Sequence, residues 1–233
     1  MGVKENYREV LRRKNEAAIR SGRKPEDVLL LAVTKLHSLD EINEAIEEGA
    51  TDCGENRVQE LLEKYGKTVR PVNWHLIGHL QTNKVKSIID KVVMIHSVDS
   101  MHLAKEIDKR AANAGLVMDI LIEINIGMEE SKSGIPAEET ESLVREIAEN
   151  LNHVRIRGLM CVPPYGEDPE MSRKYFARTR EIFENLKKAG LPEDRVQLDT
   201  LSMGMSGDFE VAIEEGATIV RVGSSIFGAR YYR

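Results

Sequence analysis

Short apolar runs alternate with longer amphipathic segments along the whole chain. The first amphipathic segment, residues 5–20, carries apolar residues at helical spacing with charges between them, so it predicts a helix that Gly22 ends. The run at 28–34 is apolar without polar alternation, which is typical of a parallel strand buried on both faces. After it, Ser38 and Glu41 have the spacing of a capping box and predict the start of another helix.

This strand-then-helix pattern continues to the end of the chain. It predicts strands at 28–34, 51–54, 73–78, 92–97, 117–125, 154–161, 196–202 and 217–222. It predicts helices after them at 39–48, 57–66, 81–90, 100–113, 137–150, 169–188, 208–215 and 224–228. Alternation of this kind implies a parallel sheet with helical crossovers. We therefore expect an α/β protein, a single (β/α)8 TIM-type barrel over residues 1–233, with residues 1–22 forming an extra N-terminal helix packed on the barrel.

The heptapeptide AIEEGAT occurs twice, at 45–51 and at 212–218. In both places it ends a predicted helix, supplies a glycine and begins the next strand. Glycine tolerates the positive φ that closes a helix. A shared helix-to-strand turn therefore explains the repeat.

Length and charge narrow the range of functions. The chain has 233 residues, with 33 basic and 39 acidic side chains and a net charge of −6. A barrel alone takes roughly 250 residues, so we expect one barrel and no second domain. Mild acidity disfavours a general nucleic-acid binder. The sequence has no apolar run of the ~18 residues that span a bilayer and no signal-peptide pattern, and Cys53 and Cys161 are far apart. We expect a protein of the reducing cytoplasm, without nucleic-acid or membrane partners.

Lys35 is the first candidate for chemistry. In a barrel of this kind the active site lies at the carboxyl ends of the strands, and Lys35 follows an entirely apolar strand. Burial disfavours an ammonium ion and frees the amine as a nucleophile, as a Schiff-base lysine requires. The alternative is a lysine whose head simply reaches water at a strand end.

A phosphate site is predicted at the last two strands. Barrel enzymes often bind phosphate in the loops after strands seven and eight, and here those loops are SMGMSGD (202–208) and RVGSSIFG (221–228). Ser224 is predicted to open a short helix whose amides favour an anion. A nucleophilic lysine beside a phosphate site suits a phosphorylated aldehyde, either pyridoxal 5′-phosphate (PLP) or a sugar-phosphate aldol substrate. Arg221 fits PLP, because an arginine facing the pyridine nitrogen keeps that nitrogen unprotonated; an ordinary ion pair is the alternative.

The histidines raise a metal site as another alternative. His75 and His79 are four residues apart in WHLIGH. In a strand that spacing separates them by roughly 13 Å, too far for one ion. The sequence has no HExxH or paired-cysteine signature. We therefore expect no metal, although His79 at the exit of the third strand is placed to touch a ligand.

Seven segments together resemble one known family. They are AVTK (32–35), GENRVQE (54–60), WHLIGHLQTNK (74–84), SKSG (131–134), GLM (158–160), LSMGMSGD (201–208) and RVGSSIFGAR (221–230). The sequence resembles the pyridoxal phosphate homeostasis proteins, also called the YggS-type PLP-binding proteins. That family is similar to the barrel domain of alanine racemase, the PLP enzymes of fold-type III.

The resemblance implies a PLP site and assigns residues to it. Lys35 is implied to form the covalent aldimine with PLP, and Ser206, Gly223 and Ser224 to hold the phosphate. Arg221 is implied to face the pyridine nitrogen. Asn56 and Met160 are implied to line the ring.

The resemblance also implies a role in controlling free PLP, with delivery to PLP-dependent apo-enzymes. Racemisation needs an acid or base on each face of the cofactor, and in alanine racemase a second domain supplies a tyrosine. The chain has no residues left for such a domain; Tyr231 and Tyr232 near the end of the chain are more simply a tail. We therefore expect a monomeric PLP carrier without robust turnover. The alternatives are a weak PLP-dependent amino-acid racemase, a Schiff-base aldolase, or a barrel adaptor that binds a protein partner.

Overall fold

The structure is a computed structural model that describes residues 2–129 and 132–228. Its strands are β1 (Leu29–Val33), β2 (Asp52–Glu55), β3 (Asn73–Leu76), β4 (Met94–Val98), β5 (Met118–Ile124), β6 (Val154–Cys161), β7 (Val196–Ser202) and β8 (Ile219–Val222). Its α-helices are α1 (Val3–Arg20), α2 (Leu39–Glu47), α3 (Val58–Lys64), α4 (Val85–Ile88), α5 (Met101–Ala114), α6 (Thr140–Asn150), α7 (Arg173–Lys187), α8 (Phe209–Glu214) and α9 (Ser224–Phe227).

The strands form a closed barrel in sequence order. Every neighbouring pair is parallel, and β1 closes on β8 with Leu29 opposite Ile219 and Ala32 opposite Val222. The predicted (β/α)8 barrel with a helix in front of it is confirmed. The carboxyl ends of all these strands consequently meet at one mouth.

Alternate residues of each strand pack into two separate cores. The larger core lies between the strands and the helices, and Leu30 and Ala32 of β1 belong to it. The smaller core fills the barrel interior, and Leu31 of β1 belongs to that one. The other buried members of the interior core are Met94, Leu121, Met160 and Ile219. A filled interior makes the barrel a rigid support rather than a pore.

Charged side chains are paired in the amino-terminal halves of β5, β6 and β7. Asp119 accepts hydrogen bonds from Arg155 Nε and Arg157 Nη1, each at 2.6 Å, and Arg157 also pairs with Asp199. This network lies at the end of the barrel opposite the mouth. The two ends therefore differ, one held by ion pairs and the other open to ligands.

Helix α1 packs on the barrel through the side that the sequence predicted to be apolar. Tyr7, Val10, Ala17 and Ala18 are buried in the larger core. Asn6 Nδ2 also donates to the carbonyl of Ile226 in α9 (3.0 Å). The helix thus lies against the part of the barrel that follows β8.

The predicted helix at 81–90 was too long. The structure has a 3-10 turn at Thr82–Lys84 and only four α-helical residues in α4. Lys91 N–H bonds to the carbonyl of Ile88 (2.8 Å), which closes the last turn three residues back before the chain enters β4. The predicted helices at 137–150 and 169–188 likewise begin as 3-10 turns, at Ala137–Glu139 and Pro169–Ser172.

The two AIEEGAT segments adopt the same turn. Gly49 and Gly216 have φ values of 106° and 102°. In each copy the alanine after the glycine donates back to the alanine five residues earlier, Ala50 to Ala45 (3.0 Å) and Ala217 to Ala212 (2.8 Å). This is the Schellman motif, which needs a left-handed residue after the helix, so the shared turn that explains the repeat is confirmed.

Candidate functional site

A cavity of about 600 Å³ opens at the carboxyl ends of the strands. Six of the seven predicted site residues line it: Lys35, Asn56, Ser206, Arg221, Gly223 and Ser224. The seventh, Met160, lies deeper, in the buried core that fills the barrel interior. The structure thus brings together residues that are as much as 189 positions apart in the sequence, since Lys35 and Ser224 share one cavity.

Lys35 leaves β1 in a tight turn. His37 N–H donates to the carbonyl of Thr34 (3.1 Å), and Leu36, the third residue of this turn, has a φ of 64°. A positive φ at that place usually selects glycine or asparagine, and an L-residue with a large side chain is strained there. The half-buried Lys35 therefore reaches the cavity from a backbone that the surroundings must hold in place.

A buried ionic cluster holds the backbone on both sides of this lysine. Lys64 Nζ donates to the carbonyl of Thr34 (2.8 Å), to Glu55 Oε1 (2.7 Å) and to Glu60 Oε2 (3.3 Å). Glu60 Oε2 in turn accepts from Leu36 N–H (2.7 Å). Burial raises the pKa of Glu55, against the opposing effect of Lys64. The cluster fixes the turn at its two ends.

Asn56 contributes an unsatisfied polar atom to the cavity. Its Oδ1 is buried and has no hydrogen-bond partner among the described residues. The backbone of Asn56 lies against Gly78 of the WHLIGH segment, where an added Cβ would come within 2.5 Å of the Asn56 carbonyl oxygen. Glycine at position 78 thus permits the close approach, and a buried acceptor without a partner is the kind of atom that a ligand satisfies.

The loops after β7 and β8 meet at Ser206. Its hydroxyl oxygen accepts hydrogen bonds from the N–H groups of Gly223 and Ser225, each at 3.2 Å. Ser225 Oγ donates to the carbonyl of Ser206 (3.3 Å) and ties the two loops together. Ser206, Gly223 and Ser224 therefore line one side of the cavity together, and their hydroxyl and N–H groups are of the kind that binds an anion.

Arg221 forms part of the cavity wall although it is almost fully buried. Its Nη1 donates to Ser202 Oγ (2.8 Å) and its Nη2 to the carbonyl of Cys161 (2.9 Å). Burial lowers the pKa of its guanidinium, yet arginine stays protonated in proteins. A guanidinium has five donor hydrogens, so donors remain for a ligand.

Acidic groups also lie near this wall. Burial raises the pKa of Glu123 to about 7, with Asp99 adding to the rise and Arg221 opposing it. Glu123 Oε2 is buried without a hydrogen-bond partner in the described part of the chain. Asp208, which also lines the cavity, accepts from Met205 N–H (2.7 Å) and closes the loop after β7.

One whole wall of the cavity was not predicted from the sequence. The segment that follows β6, from Val162 to Pro169, supplies several residues that line the cavity, and Lys132 also lines it. Lys132 Nζ donates to the carbonyl of Pro163 (2.9 Å). The Pro- and Gly-rich composition of residues 163–169 was the available signal, because such loops often carry binding residues. His79, in contrast, lies 4.0 Å from Asp99 and is not among the residues lining the cavity.

Some predicted features lie outside the described residues. These are Ser131 of the SKSG segment, Ala229 and Arg230 of the last motif, and Tyr231 and Tyr232. Within the described ranges, no cluster of three or more His, Cys, Asp or Glu side chains is arranged to hold a metal ion. In the same ranges, no helix has the length and apolarity to cross a membrane.

Known proteins with the same fold cover the whole chain. The family described as alanine racemase, N-terminal domain, matches residues 12–231. The pyridoxal phosphate homeostasis protein of Aquifex aeolicus is 47% identical over 234 residues, covering 100% of both chains. The structure of PipY from Synechococcus elongatus with PLP bound has a TM-score of 0.80 at 33% identity, covering 93% of this chain and 99% of PipY. Alanine racemase of Clostridium difficile 630 has a TM-score of 0.72 at 16% identity over 98% of this chain and 58% of its own, a likeness in fold alone.

Proposed function

The chain belongs to the pyridoxal phosphate homeostasis protein family, and we propose that it binds PLP in the cavity at the mouth of its barrel, linked covalently through Lys35. The observation that carries the proposal is the convergence of the Lys35 amine, the Ser206 and Ser224 hydroxyls and the buried Arg221 guanidinium on one cavity. A relative of 33% identity holds PLP in the same fold. We take the whole chain, residues 1–233, to act as a single domain in this role.

The residues present fit PLP as a ligand. When bound, PLP supplies an aldehyde that amines capture reversibly, a phosphate dianion and a pyridine ring. Lys35 supplies the amine. Asn56 Oδ1, which has no partner among the described residues, supplies a buried acceptor beside the ring. The cavity volume of about 600 Å³ lies within the range usual for small-molecule sites.

Each remaining contact has a distinct task in this proposal. Ser206, Gly223 and Ser224 bind the phosphate through hydroxyl and N–H donors. Arg221 faces the pyridine nitrogen and keeps it unprotonated, because a guanidinium does not give up its own proton at neutral pH. Met160 lines the ring from below, since it packs in the interior core together with Ile77 and Val162 of the cavity wall.

The test is the visible absorbance of the purified protein after incubation with PLP. We expect a yellow band that borohydride removes by reducing the covalent linkage, and we expect Lys35→Ala to lack it. Lys132→Ala is the matched control, because Lys132 lines the same cavity, and it should keep the band. A colourless wild-type protein after incubation, or an unchanged band in Lys35→Ala, would overturn the proposal.

We further propose that the protein holds and releases PLP rather than using it for turnover, and that it passes PLP to apo-enzymes. Enantiomer-resolved incubation with amino acids separates this role from that of a weak racemase. Turnover well above that of free PLP would defeat it. Transfer is measured by mixing the PLP-loaded protein with a PLP-free enzyme and following the recovery of that enzyme's activity.

We propose that the protein acts as a monomer in the reducing cytoplasm. The cytoplasmic setting is supported by Cys53 and Cys161, which are both buried free thiols, because free thiols persist where glutathione and thioredoxin keep them reduced. The monomeric state is the second part of this proposal. Size-exclusion chromatography with light scattering tests it, and a dimer mass would refute it.

A further inference from the structure

Five side chains from five strands form an unbroken series of hydrogen bonds across the barrel interior. Arg221 Nη1 on β8 donates to Ser202 Oγ on β7 (2.8 Å), and Ser202 Oγ lies 3.0 Å from His96 Nδ1 on β4. His96 Nε2 lies 2.9 Å from His75 Nδ1 on β3, and His75 Nε2 lies 3.1 Å from Asp52 Oδ1. We call these five residues the interior relay. It links a residue of the cavity wall to the first residue of β2, at the other end of the barrel.

The two ends of the interior relay decide which way its protons point. The guanidinium of Arg221 only donates, and an ionised Asp52 only accepts. Burial alone would raise the pKa of Asp52, but hydrogen bonds led by that from His75 outweigh it and bring the pKa below its usual value. With both rings neutral, the one arrangement that satisfies every bond of the series has Ser202 donating to His96 Nδ1 and each imidazole carrying its proton on Nε2. Burial, with His75 and Arg221 nearby, lowers the pKa of His96 well below its usual value, in keeping with a neutral ring.

Arg221 makes no hydrogen bond to a charged group in the described part of the chain. Its two hydrogen-bond partners in the described residues, Ser202 Oγ and the carbonyl of Cys161, are uncharged. The other groups that face it are the Cys161 thiol, Glu123 and Asp208. The pKa of Glu123 is about 7, so this carboxyl is only partly ionised at neutral pH. Through the interior relay, by contrast, the guanidinium is connected to an ionised carboxylate.

We propose that Ser202, His96 and His75 are positioning residues for Arg221. The hydrogen bonds of these three residues run in one direction toward Asp52 and hold the Arg221 guanidinium in a single orientation. The inference rests on the proposed function, because the pyridine nitrogen of PLP is the atom that Arg221 would face. A guanidinium held in this way presents one fixed N–H to that nitrogen. Polar groups that merely fill the barrel would require neither continuity nor a common direction.

The first test uses the protein without PLP. Proton–nitrogen correlation spectra of 15N-histidine-labelled protein report which ring nitrogen carries the proton. At pH 7.5 we expect both His75 and His96 to be neutral with the proton on Nε2. A proton on Nδ1 of either ring, or a doubly protonated ring, would overturn the relay. The result does not depend on PLP, so it is independent of the proposed function.

The second test severs the relay at one bond at a time. The amide oxygen of asparagine lies near the position of a histidine Nδ1, and that of glutamine near Nε2. His96→Asn therefore keeps an acceptor for Ser202, whereas His96→Gln places its amide beside His75 Nδ1, where the amide N–H donates, and leaves Ser202 without an acceptor. Ser202→Ala also cuts the link to Arg221, and Ser202→Thr retains the hydroxyl.

We expect His96→Gln and Ser202→Ala to weaken PLP binding roughly 2- to 30-fold, the range of coupling through such networks. The absorbance of bound PLP should then depend on pH between 6 and 9, and Ser202→Thr and His96→Asn should stay closer to wild type in both respects. Urea unfolding of each variant separates lost positioning from lost folding. Wild-type affinity and a pH-independent spectrum in both severed variants would refute the positioning role. Failure of the wild-type protein to bind PLP would instead overturn the proposed function, with the tautomers still deciding the relay.

Discussion

The buried pair of Lys64 and Glu55 gives the sharpest test of how the site lysine is presented. Glu55 is fully buried, and Lys64 Nζ is bonded to its Oε1 (2.7 Å) and to the carbonyl of Thr34 (2.8 Å). Lys64→Met keeps most of the side-chain volume but leaves Glu55 without its cation. Removing one partner of a buried ion pair costs about 3–5 kcal/mol, because the remaining charge is uncompensated. We expect a loss of that size in the free energy of unfolding.

The pH dependence follows from the raised pKa of Glu55, which burial causes and Lys64 opposes. A carboxyl whose folded pKa lies above its unfolded value, about 4.3, stabilises the folded state most below the unfolded pKa and loses that stabilisation as pH rises through the folded pKa. Without Lys64 the folded pKa rises further. The stability difference between Lys64→Met and wild type should therefore shrink as the pH falls from 7.5 to 5.5.

The assay is urea unfolding at both pH values for wild type, Lys64→Met, Glu55→Gln and the double variant. In the double variant no buried carboxylate remains, so its loss should be smaller than the sum of the single losses by about 0.5–3 kcal/mol. Arg178→Met is a suitable control, because Arg178 makes an exposed i,i+3 pair with Glu181 and such pairs contribute little. A loss below about 1 kcal/mol in Lys64→Met, additive losses in the double variant, or a difference that grows at low pH would refute the reasoning.

Three further predictions concern single side chains around the mouth. Leu36 has a φ of 64° and an exposed fraction of 52%. Leu36→Gly should relieve about 1–2 kcal/mol of backbone strain and cost roughly 0.5–1 kcal/mol in backbone entropy. We therefore expect the variant to be as stable as wild type or slightly more stable in urea unfolding, and a clear loss of stability would contradict this. Glu123 has a pKa raised to about 7, so wild type should lose roughly 3 kcal/mol of stability as the pH rises from 4.5 to 8. Glu123→Gln should remove that part of the pH dependence of stability. An unchanged pH dependence in the variant would show that Glu123 does not have the raised pKa. Arg221→Glu should allow the pyridine nitrogen to be protonated and shift the absorbance of bound PLP; the same spectrum as wild type would mean that Arg221 does not face the ring.

The sequence allowed the barrel and most of the site to be predicted for one physical reason. Strands buried on both faces read as unbroken apolar runs, and the carboxyl ends of parallel strands must meet at one edge. Lys35 after β1 and Ser224 after β8 could therefore be assigned to one cavity without knowing any contact between them. Helix ends were less predictable, because a 3-10 turn and an α-helical turn have similar apolar spacing over three or four residues.

The register of β6 around Met160 was not predictable from the sequence. The family resemblance implies that Met160 lines the ring, and that assignment stays a prediction. The pairing of β6 with both neighbours shifts in register just before Gly158. Met160 then packs in the barrel interior, and Val162, two residues further on, lines the cavity. A bulge changes which residues reach a site, and its position depends on neighbouring strands that are distant in sequence.

The interior relay was missed for a related reason. From the sequence, His75 was considered only as a metal ligand, and neither His75 nor His96 has a polar residue of the relay beside it in the sequence. Ser202 is 106 positions from His96. Alternation does place both imidazoles on inward positions of adjacent strands, so two inward histidines on successive strands are the signal that was available. Buried polar groups need hydrogen-bond partners, so two inward histidines imply further polar side chains in the barrel interior, which β7 and β8 supply as Ser202 and Arg221.

The turn at Lys35 depends on contacts that are distant in the sequence. A leucine with positive φ is not predictable from sequence, since glycine or asparagine is the residue expected there. The conformation persists because Glu60 holds the N–H of Leu36 and Lys64 holds the carbonyl of Thr34. Strain of this kind survives only where the surroundings over-determine it. Lys35 is thus fixed from α3, and Arg221, on the neighbouring strand β8, is fixed through the barrel interior. The Lys35 turn and the Arg221 guanidinium are therefore held in place before a ligand binds, so less binding free energy is lost in ordering the protein.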